Sequence, residues 1–355
     1  MDAQGRSIVL NNLQTLRAIA AYSVVIYHCL MRFVRPEDPI GMAYLDLPSG
    51  GVDLFFVISG FVMVHTTRDD ETPGWFATKR IARIVPLYWI ATFVVIGLVL
   101  VREWLFPTTL VTPESILASL FFVPHLDAAG HVYPILGVGW TLNYEMMFYA
   151  LFAISLFLPR AFRLASILLL ITLVWAIAMI AGDSVFTRFY ANPIIFEFAA
   201  GCAIAYALRA PAVIAFVRAT PMWPLALAGF AALVILPSLL GRDIATLFKY
   251  GIPAMFIVFA AAAQDLYRAP AATSVITRLG DASYSAYLLH PIVIAIVAQV
   301  VLLVAGEGLL AEGLILAATL VTTAVISTLS MKYFEKPTAA LVRNLVRRPR
   351  QVAGH

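Results

Sequence analysis

The chain has 355 residues, 62% apolar or aromatic and only 12% charged, with a formal net charge of +4 and a mean hydropathy of +0.90. A soluble domain carries about 25% charged residues, so this chain cannot cover a water-facing surface, and disorder is excluded because it requires low hydrophobicity. Collagen and disulfide scaffolds are excluded by 20 glycines and 2 cysteines.

A membrane span needs about 20 mostly apolar residues. Ten such runs occur in chain order: 13–31, 52–66, 81–101, 140–158, 164–181, 193–208, 223–240, 248–263, 285–305 and 309–333. The first contains Arg17 and His28 and continues past any plausible cleavage site, so it reads as a span and not as a signal peptide. The second and sixth are short, as broken or tilted helices would be. The longest connection, 102–139, holds Trp104, His125, His131 and Tyr133; the rings of Trp104 and Tyr133, with Trp140, are suited to anchoring at the interface or to stacking on a bound acceptor. Cys29 and Cys202 fall inside apolar runs and read as structural thiols. The predicted fold is an all-α polytopic membrane protein of about ten transmembrane helices with both termini cytoplasmic. Residues 1–338 form one membrane domain, and 339–355 a basic cytoplasmic tail.

Charge placement supports that orientation. With both termini inside, 18 Lys and Arg fall on the inner side and 6 on the outer, as the positive-inside rule requires. The basic run at 343–350 reads as a topology signal touching anionic membrane lipid. A chain this poor in charge has no nucleic-acid partner to expect.

Ionisable residues within spans are costly and mark function. Arg17 and His28 are eleven residues apart, which is three turns plus roughly 20°, so both leave one helix face about 16 Å apart along the axis. Arg17 then lies near the cytoplasmic end and His28 in the outer half. Asp53, Glu145 and Glu197 come early in inward-running spans, so the depth count places them with His28. A carboxylate beside a histidine raises its basicity and fixes its tautomer, as a general base needs; the alternative is a structural polar cluster holding helices together. Arg80 and Arg83, at i and i+3, share a face and with Arg17 form a candidate phosphate site, unless they only obey the positive-inside rule. His290, before Pro291, falls near the inner end of the ninth run and is expected to pack in the core, far from His28. No P-loop, dinucleotide fingerprint or zinc spacing occurs.

Several phrases resemble the membrane acyltransferase-3 family. Arg17 with His28 is similar to its first-helix Arg-x10-His motif, and 51–61, containing Asp53 and Ser59, to its second-helix signature. Arg80-x-x-Arg83 with Pro86 and Tyr88 resembles its Arg-x-x-Arg element; Trp140-Thr141-Leu142-Asn143-Tyr144-Glu145 resembles its fourth-helix glutamate motif. Glu197-Phe198 with Gly201, the run 283–291 ending in His290-Pro291, and Phe334-Glu335-Lys336-Pro337 complete the pattern over about residues 12–338. The phrase 137–145 looks most like the exopolysaccharide acyltransferase branch.

The resemblance implies an O-acyltransferase of the bacterial cytoplasmic (inner) membrane. It would move an acyl group, usually acetyl, from cytoplasmic acyl-CoA to a hydroxyl of a surface carbohydrate such as exopolysaccharide, with no permanently bound cofactor and no metal. Arg17, Arg80 and Arg83 would hold the CoA phosphates. His28 would be general base or acyl carrier, with Glu145 as its partner and Asp53 as a further one; Ser59, Asn143, Tyr144, Glu197 and His290 are further candidates. Partners would be membrane lipid, acyl-CoA, a carbohydrate or lipid-linked sugar, and exopolysaccharide assembly machinery. No appended periplasmic esterase-like domain is expected. The rival reading is a proton-coupled transporter, which also buries polar residues at one depth and uses broken helices; it should depend on Glu145 or Asp53 and consume no acyl-CoA.

Overall fold

The computed structural model describes residues 10–33, 50–241, 244–268 and 271–346. Arg6, Arg35, Arg242, Arg347, Arg348 and Arg350 of the orientation count lie outside them. The described chain is helical: α1 (Asn11–Leu30), α2 (Gly51–Thr66), α3 (Pro73–Val101), α4 (Pro113–Leu120), α5 (Trp140–Ser155), α6 (Arg160–Ile180), α7 (Val185–Tyr190) and α8 (Phe196–Ala207). There follow α9 (Pro211–Ala219), α10 (Trp223–Leu239), α11 (Ile252–Tyr267), α12 (Val275–Asp281), α13 (Ser283–Ala305), α14 (Leu309–Ser330) and α15 (Lys336–Val346). No strand occurs among the described residues, and Leu126 and Val132 form an isolated bridge.

Each of the ten apolar runs is helical, but fewer are both long and apolar enough to cross a membrane. Pro73–Val101, Arg160–Ile180, Leu247–Tyr267, Ser283–Ala305 and Leu309–Val346 are long and apolar enough to cross a membrane. Pro193–Ala207 and Pro211–Ala219, bent by 84°, make a sixth if taken as one broken span. Gly51–Thr66 has 16 residues, a rise of about 24 Å against the roughly 30 Å of a bilayer core. On α3, α6, α13 and α14 large apolar side chains point outward, with Leu100 75%, Ile180 82%, Leu303 85% and Leu309 86% exposed. That is the reverse of a soluble surface and suits lipid.

Local sequence sets the boundaries that matter for the site. Thr72 accepts from the Trp75 amide and Pro73 opens α3, so this helix begins eight residues before the predicted span at 81 and carries Arg80 and Arg83 about two and three turns inside it. α1 has no side-chain cap of its own. Instead Asp265 of α11 accepts from the Asn12 and Leu13 amides at 3.0 and 3.1 Å, placing a carboxylate on the free N–H groups of a helix start. α2 and α8 touch backbone to backbone: a Cβ on Gly60 would fall on the Phe198 carbonyl, and one on Gly201 on the Val57 carbonyl. Small residues at a crossing permit this close approach. The segment between α3 and α5 is pinned to α3 by Tyr88 and Trp89, which donate to the carbonyls of Ser119 and Leu120. Both cysteines are buried and free.

Candidate active site

Helices α1, α2, α3, α5 and α13 line one cavity of about 780 Å³, counting its open mouth. Arg17, Arg80, Arg83 and Glu145 are its charged lining groups, so three guanidiniums face one carboxylate and leave a formal +2. The i, i+3 spacing on α3 turns Arg80 and Arg83 inward together, while Lys79 turns aside to pair with Glu71 at 2.7 Å. The Arg80 guanidinium lies over the rings of Phe76 and Tyr149 at 5.1 and 5.8 Å and donates to Thr66 Oγ1 at 3.2 Å. Its Nε has no partner. Arg17 donates to Gln14 Oε1 at 3.0 Å. Glu145 Oε1 accepts from Ser59 Oγ at 3.2 Å and from the Tyr149 hydroxyl one helical turn on. Phe55, Phe56, Val62 and Met63 of α2 give the cavity an apolar wall.

Tyr287 also lines the cavity. Its hydroxyl lies 2.9 Å from Thr141 Oγ1 and donates to the Val138 carbonyl at 3.0 Å. Beyond it, 5.9 Å between ring centroids, stands His290, and His290 Nε2 lies 3.2 Å from His28 Nδ1. His28 Nδ1 is also 2.9 Å from the Val24 carbonyl. A carbonyl can only accept, so Nδ1 carries the proton and Nε2 of His28 holds the lone pair. His290 is fully buried and His28 half-buried.

The expected constellation of His28 with three carboxylates is therefore divided. Glu145 stands with the arginines, and Asp53 and Glu197 are each other's neighbours, 3% and 0% exposed. Neither Asp53, Glu145 nor Glu197 hydrogen-bonds His28. The depth estimate for His290 is corrected too: it contacts His28 directly. That estimate assumed upright spans starting at one height. In the structure Ser283, the first residue of α13, already lines the cavity beside Arg17, so seven residues, a rise of about 10 Å, bring His290 up to His28. Ser59 does line the cavity, whereas Asn143 and Tyr144 are buried and do not. Tyr144 stacks on Phe189 at 4.1 Å and donates to its carbonyl, a packing role. Trp140 packs on Phe56 and Tyr144 inside the bundle, not in the outer loop.

Sequence reasoning missed Tyr149, Tyr284, Tyr287 and Thr141 as lining residues. The signal was present in the spacing Tyr284, Tyr287, His290, in steps of i, i+3 along α13, and in Glu145 to Tyr149 at i, i+4. A smaller cavity of about 320 Å³ lies in the 102–139 connection, lined by Thr108, Thr109, His125, Asp127 and Tyr133 among others. There burial, with the Asp127 carboxylate adding to it, pushes the Tyr133 hydroxyl up from its ordinary pKa. Among the described residues no group of three His, Cys, Asp or Glu could hold a metal ion.

Comparison with known proteins gives this geometry its context. The family model Acyl_transf_3, an acyltransferase domain, matches residues 10–331. The chain is 39% identical over 259 residues to the exopolysaccharide production protein ExoZ of Rhizobium meliloti (strain 1021), covering 72% of this chain and 80% of that one. It is 26% identical over 324 residues to the acyltransferase MdmB of Streptomyces mycarofaciens, covering 81% and 80%. A shorter likeness, 39% over 84 residues, is to protein 2 in the picA locus of Rhizobium radiobacter, covering 22% of this chain and 40% of that one. No solved structure matches. Between the two readings of the sequence these findings favour the enzyme: the chain belongs to the acyltransferase-3 family and is a multi-pass membrane acyltransferase.

Proposed function

We propose that the chain takes an acyl group, acetyl in the simplest case, from acyl-CoA and passes it to a hydroxyl of a carbohydrate acceptor. The observation that carries this reading is the cavity, with Arg17, Arg80 and Arg83 gathered in it and the His28–His290 pair behind Tyr287. Guanidiniums bind phosphate through charge and paired N–H donors, so the arginines would hold the CoA phosphates from the cytoplasmic side. The apolar wall of α2 suits the pantetheine arm. His28 Nε2 would take the proton of the acceptor hydroxyl as its oxygen attacks the thioester carbonyl. The carbon–sulfur bond then breaks and the proton passes to the departing CoA sulfur. A general base of this kind contributes about 10²–10⁴-fold. The likeness to a protein named for exopolysaccharide production supports a sugar of that class as acceptor; the cytoplasmic acyl-CoA donor would place the reaction in the inner membrane.

The test is thiol release from acetyl-CoA by the purified protein in lipid nanodiscs. Slow turnover that vanishes in His28→Ala, and a raised acetyl-CoA KM in the Arg80→Ala/Arg83→Ala variant, are expected. An acyl-enzyme trapped by donor alone would instead make His28 the acyl carrier. Absence of donor binding at any concentration would remove acyl-CoA from the reading.

A further inference from the structure

We propose that His290 is the positioning partner of His28, a neutral imidazole doing the work more often given to a carboxylate. The inference rests on the reading of His28 as the base. His28 Nδ1 faces two atoms, the Val24 carbonyl at 2.9 Å and His290 Nε2 at 3.2 Å. The carbonyl fixes the proton on Nδ1, so His290 Nε2, facing that N–H, is a lone pair, and the His290 proton sits on its own Nδ1. The Val24 carbonyl also serves the backbone of α1 one turn on, because His28 is its i+4 residue. A shared acceptor holds the ring less firmly than a dedicated one, and His290 Nε2 is dedicated.

The histidine at position 290 has a use for both ring nitrogens. The side chain is fully buried, and the Tyr287 and Ala286 carbonyls, one turn back on α13, lie near the ring as acceptors, which suits a proton on Nδ1 and a lone pair on Nε2 facing His28. Leucine would fill the space but offer His28 no acceptor. The rings are held close by their neighbours: His28 and His290 centroids are 4.9 Å apart, Tyr27 stands edge-on to His28 at 5.2 Å, and Tyr287 edge-on to His290 at 5.9 Å. Among the described residues no carboxylate accepts from either ring. When the acceptor hydroxyl's proton arrives at His28 Nε2, the Nδ1 proton stays in place and its bond to His290 becomes charge-assisted. His290 stabilises that imidazolium without placing a second charge in a low dielectric. The proton at Nε2 then leaves with the CoA thiol, and both rings return to their starting tautomers.

The experiment compares wild type, His290→Leu and His290→Gln in nanodiscs by acetyl-CoA thiol release, with CoA binding measured calorimetrically. The leucine variant is expected to lose about ten- to a hundredfold in kcat, the loss of one hydrogen bond to a charged group, with the acetyl-CoA KM and CoA affinity unchanged. Glutamine, whose Oε1 offers an acceptor near the place of Nε2, should recover most of that. Nitrogen-15 spectra of histidine-labelled protein, with His28 assigned by its loss in His28→Ala, should show the Nδ1–H tautomer in all three, held by the Val24 carbonyl, with the Nδ1 signal displaced in His290→Leu and returned toward the wild-type position in His290→Gln. Wild-type kcat in the leucine variant, or a glutamine variant no better than leucine, overturns the pairing. Should the leucine variant not fold, the His290→Gln spectrum decides, and a His28 Nδ1 signal displaced far from the wild-type position there overturns it. If His28→Ala keeps full turnover, the base reading fails, while the Nδ1 signals still judge the pairing separately.

Discussion

Replacing Glu145 by glutamine removes the carboxylate that shares the cavity with Arg17, Arg80 and Arg83, yet leaves an amide oxygen to accept from Ser59 and Tyr149. The formal charge of the lining rises from +2 to +3 with little change of shape. A cavity of about 780 Å³ has a radius of about 6 Å, so a phosphate at its centre repels Glu145 by about 3 kcal/mol at an effective dielectric of about 20. Water and counter-ions at the open mouth screen about half of that, leaving about 1.4 kcal/mol, or roughly tenfold in affinity. Calorimetric titration of CoA into the protein in nanodiscs should therefore give a Kd about tenfold lower for Glu145→Gln at low salt, with the gap closing as salt rises. Equal or weaker CoA binding at low salt would refute the reasoning. It would mean that the phosphates do not enter the field of this carboxylate, and the arginines would then need another role.

Other consequences are structural and separable from turnover. Gly201→Ala puts a Cβ on the Val57 carbonyl and against the Gly60 backbone, so α2 and α8 must part; a loss of about 3 kcal/mol or more in thermal unfolding is expected, whereas Gly137→Ala, with open space around it, should be near neutral. Asp265→Ala strips the start of α1 of its acceptor for the Asn12 and Leu13 amides and should cost about 1–2 kcal/mol in chemical denaturation. Glu197→Gln, which removes one of two adjoining buried carboxyls but keeps the shape, should leave the melting temperature equal or higher, because two carboxyls this close in a low dielectric cannot both be ionised and an amide keeps the packing without that conflict; a fall as large as that of Glu197→Ala would contradict this. Tyr287→Ala opens the wall between cavity and histidines and should raise acceptor-independent hydrolysis of acetyl-CoA, while Tyr287→Phe, which keeps the ring and loses only the bonds to Thr141 and Val138, should not.

The helices were legible because apolar runs of this length have no other stable form in a chain so poor in charge, and the arginine group was legible because i, i+3 spacing fixes a shared face whatever surrounds it. What depended on depth was not. Counting residues from span ends treats every helix as upright and every start as level. Yet α3 begins at Pro73 under its own cap, and α2 is too short to set a common floor. The same count separated His290 from His28, and that error has this source. Long-range capping, as by Asp265 on α1, leaves no local mark, since the acceptor lies about 250 residues from the amides it serves.

The separation of Glu145 from His28 has a chemical logic once His28 is taken as the base. A donor such as CoA needs a concentrated positive field, and the same field beside an imidazole would oppose its taking a proton. Placing the three guanidiniums in the cavity and the histidines behind Tyr287 keeps the two requirements apart, and the Tyr287 ring is held there by Thr141 and Val138 at the start of α5. On the proposed reading Glu145 would offset part of the arginine field, so that the cavity could hold CoA phosphates and still release the spent CoA. His28, with no carboxylate to balance it, would then work against a neutral partner, and the site would change by one charge and no more as the proton moves. A single mobile charge next to a half-buried ring is tolerable in a membrane interior. A fixed carboxylate beside His28, with no arginine to answer it, would have to be desolvated in every resting molecule.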